Sequence, residues 1–255
     1  SLLLTNPVLL PVLDHDWRQV LRLWGCFTLV AALVWYLIST RLGETPKDRG
    51  QSHTISLGLF ELLRQPVVRL LLVMSIGVFA INHGLGNWLP ELLRVGGRTI
   101  TQASSLAALM VFVAILSALT IPRLATRQYR LVVLFMLCLC TVCATLLLRL
   151  PTGLPLIAGL IFQGIASGSM MTVMMLILVE TPGIGERRAG TAGGLYFSAA
   201  EIGGVGGPVM LGAVYDATGG FGAGLGTLSF IGLALACCVW ALRNFAGKSI
   251  TVPAR

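Results

Sequence analysis

Few side chains in this sequence could do chemistry, and they stand far apart in an apolar chain. Glu201 is the acid at the middle of AGTAGGLYFSAAEIGGVGGPVMLGAVYD, residues Ala189–Asp216. His83 lies in INHGLGNWLP, with Asn82 and Trp88 close by and Asn87 four residues on, hence on the same helix face. Gln163, beside Gly164, and Tyr196 complete the set. A carboxylate can take up and release a proton, while imidazole, amide, indole and phenol groups can hydrogen-bond a small polar solute. The expected roles are therefore solute binding for Asn82, His83, Asn87, Trp88, Gln163 and Tyr196, and proton or ion coupling for Glu201.

Each residue also has a plainer reading. Glu201 could sit protonated between packed helices. His83 and its neighbours could satisfy backbone groups freed at a helix end frayed by Gly84, Gly86 and Pro90. Gln163 could be interhelical glue. The cluster Met170, Met171, Met174 and Met175 reads as flexible packing. Other chemistries lack their residues. IASGS at Ile165–Ser169 resembles the GxSG of rhomboid proteases, but Ile165 takes the glycine position and none of His15, His53 and His83 follows the serine. No HExxH, acidic metal cluster or phosphate loop occurs, so neither an enzyme, a metal nor a cofactor is expected. Cys140 and Cys143 form a CxxC without a second pair or a histidine at ligand spacing. With Cys26, Cys138, Cys237 and Cys238 they lie in apolar runs as packing residues.

The elements that must hold these groups are membrane helices. The chain has 255 residues, 56% of them hydrophobic and only 11% charged, against about 25% charged in a soluble domain. The net charge of +8 does not imply a nucleic-acid partner, because the basic residues occupy short loops between apolar runs. At about 20 apolar residues per crossing, the spans are Val20–Ser39, Leu70–Leu89, Ser104–Leu124, Leu131–Leu150, Leu154–Val179, Ala189–Tyr215 and Phe221–Leu242. Ser1–Leu13, broken by Pro7 and Pro11, reads as the tail of a cut helix, so a fragment is expected. The long polar connection Thr40–Arg69 carries a surface helix around Leu57–Arg64. Thirteen of the 18 lysines and arginines fall on the face holding that loop and the C-terminus, which makes this face cytoplasmic.

With a rise of about 1.5 Å per residue, Glu201, His83 and Gln163 all come to mid-depth, roughly 17–20 Å from the inner surface. Glycine at Gly190 and Gly194, and again at Gly203 and Gly207, gives two small-xxx-small pairs for close helix packing. A carboxylate at that depth faces a cavity or a partner rather than lipid.

These residues resemble the major facilitator superfamily. Its eleventh helix often reads GGxxGPxxxGxxxDxTG, and Gly203, Gly204, Gly207, Pro208, Gly212, Asp216, Thr218 and Gly219 fit it. Trp88, Leu89, Pro90, Ser105, Leu106, Ala108, Leu109, Met110 and Pro122 are similar to the cyanate-permease and nitroimidazole-transporter group. The loop signature GxxxDRxGRR is reduced here to PRLATRQYR, keeping Arg123, Arg127 and Arg130 but losing the glycine and the acid. The resemblance implies an all-α, polytopic membrane protein. Residues 1–39 would be the end of helix five and helix six of a truncated N-terminal bundle, 40–69 the cytoplasmic central loop, 70–243 a C-terminal six-helix bundle and 244–255 a cytoplasmic tail. Helices seven, eight, ten and eleven would face a central cavity, with six, nine and twelve peripheral.

It further implies a secondary active transporter of a small polar or anionic solute in a plasma membrane, the bacterial inner membrane. Its partners would be the solute, a coupling ion, the bilayer and the missing N-terminal half. The rival expectation is a non-transporting receptor or assembly protein of the same fold. A fragment that pairs with itself into a pore is a third.

Overall fold

A computed structural model describes residues 12–13, 16–41, 60–150 and 152–250, with side chains except at 41, 186–187 and 245–250. The expected stub and most of the polar connection lie outside the described residues. Contacts divide the chain into two compact units, Ser1–Ser56 and Leu57–Arg255. The first contributes one helix, α1 (Trp17–Arg41). The second holds α2 (Pro66–Val95), α3 (Ile100–Leu124), α4 (Arg130–Leu147), α5 (Gly153–Val179), α6 (Gly185–Thr218) and α7 (Phe221–Ile250). Every regular element among the described residues is a helix, and these seven are long and apolar enough to cross a membrane.

Local chemistry sets the ends. Pro66 opens α2 at a position where its missing N–H would have had no partner anyway. Thr99 and Gln102 form a reciprocal capping box at the start of α3. Gly219 closes α6 in the left-handed region, φ 71°. The plainer reading of INHGLGNWLP as a frayed helix end does not hold: α2 runs unbroken through Gly84, Gly86 and Pro90 to Val95. The reason is tertiary. Gly84 packs on Gly207 and Leu211 of α6, and the Trp88 indole donates to the Pro208 carbonyl at 2.9 Å.

In the second unit, α2 packs chiefly on α6, α3 on α5, α5 on α4, and α4 on α7, which returns to α2. Two of these pairs run parallel, and each is sealed by glycines one turn apart. A Cβ at Gly203 would stand 2.7 Å from the Ile76 carbonyl carbon, and one at Gly207 2.7 Å from Ala80 Cα. A Cβ at Gly164 would meet the Met110 oxygen at 2.7 Å, and one at Gly168 the Ala114 carbonyl carbon at 2.8 Å. Backbones this close leave no room for a side chain. The Gly203–Gly207 pair thus packs as expected, and Gly164–Gly168 is a further one. Gly190 and Gly194 do not: no described atom lies within 4 Å of a Cβ placed there.

Hydroxyls join helices where polar groups would otherwise be orphaned. Ser117 of α3 donates to the Ile165 carbonyl of α5 at 2.7 Å and also bonds Ser169. Thr145 of α4 meets Ser229 of α7 at 2.8 Å. The methionines behave as packing: Met170 and Met174 are buried, and the Tyr196 hydroxyl points at the Met174 sulfur, 3.8 Å away. The six thiols are free.

Candidate functional site

Glu201 and His83 come together from different helices near the middle of α6 and α2. A Cβ placed at Gly204 would lie 2.9 Å from Glu201 Oε2 and 3.3 Å from His83 Nδ1, so both side chains lean over the same glycine. Both are exposed on the surface of this unit, as is Asn87, one turn beyond His83. Gly204 lets them approach because it offers no side chain of its own. Pro208 adds a second polar feature at the same level. Lacking an N–H, it leaves the Gly204 carbonyl without its helical hydrogen bond.

One turn toward the N-terminal ends of the same helices lies an aromatic step. Phe79 and Phe197 meet edge to face, centroids 6.3 Å apart, and Phe79 also packs on the His83 ring at 5.2 Å. Phe79 is buried and Phe197 is partly open. His83 Nδ1 lies 3.3 Å from the Phe79 carbonyl, so with a proton on Nδ1 the ring donates there and turns Nε2 away from the helix. The sequence analysis did not single out Phe79, Phe197 or Gly204. The signal was present: Phe79 precedes His83 by four residues, and Phe197 precedes Glu201 by four, on helices that run side by side.

The other expected site residues take different places. Gln163 is 1% exposed, inside the bundle, with its Oε1 unpartnered among the described residues. Tyr196 is fully buried against α5 and sits in the core rather than on the open face. Trp88 is half-buried and committed to α6: its ring stacks near Tyr215 and Phe221, at 6.3 and 5.8 Å, and its N–H is taken by Pro208. Asn82 is half-buried. The structure therefore joins His83, Asn87 and Glu201 on one face and leaves Gln163 and Tyr196 behind it. No group of three or more metal-ligating side chains occurs among the described residues.

At the arginine-rich end, the shortened loop signature still makes contacts. Arg127 Nε lies 3.8 Å from the Glu180 carboxylate at the end of α5, and Arg130 pairs with the same carboxylate. Arg188, at the start of α6, pairs with Glu61 at 2.7 Å.

Residues 3–208 match the sequence profile of the Major Facilitator Superfamily. The chain belongs to that superfamily. Its members are membrane transporters, which accounts at once for the seven apolar helices and for titratable groups held among them. No curated protein matches the chain. On the exposed face of α2 and α6, Glu201, His83 and Asn87 stand among the apolar side chains of Ile202, Val205 and Val209.

Proposed function

We propose that this protein is a secondary active transporter that moves a small polar or anionic solute by alternating access, coupled to a proton or another ion through Glu201. The observation that carries this reading is the convergence of Glu201 and His83 over Gly204. A carboxylate turned to acyl chains at mid-depth costs about 2.5–3.5 kcal/mol, so a face carrying Glu201, His83 and Asn87 together belongs against a solvated cavity.

In this reading the six helices α2–α7 are the C-terminal half, and the face of α2 and α6 that carries Glu201 lines the cavity. The solute binds on that face, with hydrogen bonds from His83, Asn82 and Asn87. Glu201 takes a proton from the side to which the cavity is open. Neutral, it tolerates the closed state, and it releases the proton when the other side opens. The lysine and arginine distribution supports a cytoplasmic C-terminus.

The test is transport by the reconstituted protein, screened against radiolabelled small polar solutes. Glu201→Gln should abolish uptake driven by a proton gradient and spare exchange of the same solute across the membrane. Undiminished gradient-driven uptake by the variant would remove Glu201 from coupling.

A further inference from the structure

We propose that the groove between α4 and α7 binds an anionic phospholipid, its phosphate on Arg243 and one acyl chain along Val132, Phe135 and Trp240. The groove, of about 400 Å³, lies at the start of α4 and the end of the apolar part of α7. Its walls are apolar except at one end, where Gln128 and Arg243 stand together. Gln128 stands in the turn before α4, and Phe135 lies five residues into the helix from Arg130, roughly 8 Å along it. That is the depth between a headgroup and the first methylenes of its chains.

The chemistry selects the occupant. A fully polar solute would leave Leu131, Val132 and Phe135 unmatched, and a plain hydrocarbon would leave Arg243 without an anion. A molecule with an anion at one end and hydrocarbon at the other matches both, and the bilayer supplies it at this level. Charge complementarity points the same way. Arg243, like Arg64, Arg69 and Arg123, has no carboxylate beside it among the described residues, and of these four it is the one that lines the groove. Trp240, three residues before Arg243, is 67% exposed, an aromatic ring placed at a membrane boundary. The proposal depends on the bilayer, not on which solute is carried.

The purified chain, kept in detergent, is titrated separately with phosphatidylglycerol and phosphatidylcholine, and retained lipid is followed by native mass spectrometry. One phosphatidylglycerol should be held in preference to phosphatidylcholine. Arg243→Gln should weaken that binding about fivefold, the weight of one interfacial arginine. Arg64→Gln, at the same boundary but outside the groove, should leave it within about twofold. Val132→Trp keeps the charge and fills the groove, and should also release the lipid. Equal retention of the two lipids overturns the proposal. So does wild-type affinity in either groove variant, or inorganic phosphate competing as well as the lipid does.

Discussion

Replacing Gly207 by alanine should cost far more than replacing Gly190, although both glycines lie in the same helix. At Gly207 the new methyl would stand 2.7 Å from Ala80 Cα and 2.8 Å from its carbonyl carbon, both backbone atoms that no rotamer change can move. Restoring ordinary contact requires α2 and α6 to part by at least about 0.7 Å, and a gap of that size forfeits a quarter to a half of each dispersion contact along the seam. Overpacking of this kind costs about 1–3 kcal/mol. At Gly190 a Cβ meets nothing within 4 Å, so alanine there relieves backbone entropy and should be neutral or stabilising by up to about 1 kcal/mol. Reversible unfolding in mixed micelles with increasing sodium dodecyl sulfate reads both differences. Equal losses at the two positions, or a Gly207→Ala protein as stable as wild type, would refute the idea that α2 and α6 are in backbone contact.

Other outcomes follow from single contacts. Thr99→Ala removes the reciprocal cap of α3 and should cost about 1 kcal/mol in the same unfolding assay, recovered by Thr99→Ser. Glu180→Gln strips the carboxylate from Arg130, whose side chain is only 13% exposed, and should cost about 1–3 kcal/mol, between the limits for exposed and buried pairs. A double-mutant cycle with Arg130→Gln measures the coupling, and additive losses would show that the pair contributes nothing. Trp88→Phe keeps the ring stack but loses the bond to Pro208, for about 0.5–1.5 kcal/mol. Gly204→Ala would push Glu201 and His83 apart. It should impair gradient-driven uptake more than it lowers stability, measured by transport and unfolding on the same preparation.

The spans were legible in the chain because lipid imposes a length and a composition on every crossing: six of the seven expected spans lie within a helix, and Leu131–Leu150 overruns the end of α4 by three residues. Glu201 and His83 stood out for the same reason, since polar groups in apolar runs are costly and few. What the chain alone could not decide was which way each side chain points. Gln163 and Glu201 are both polar residues in apolar helices, yet one is buried inside the bundle and the other lies open. Two glycine pairs with identical spacing had opposite fates, Gly203–Gly207 against a backbone and Gly190–Gly194 in open space. Spacing along one helix places residues on a face, but only the neighbouring helix determines whether that face is covered.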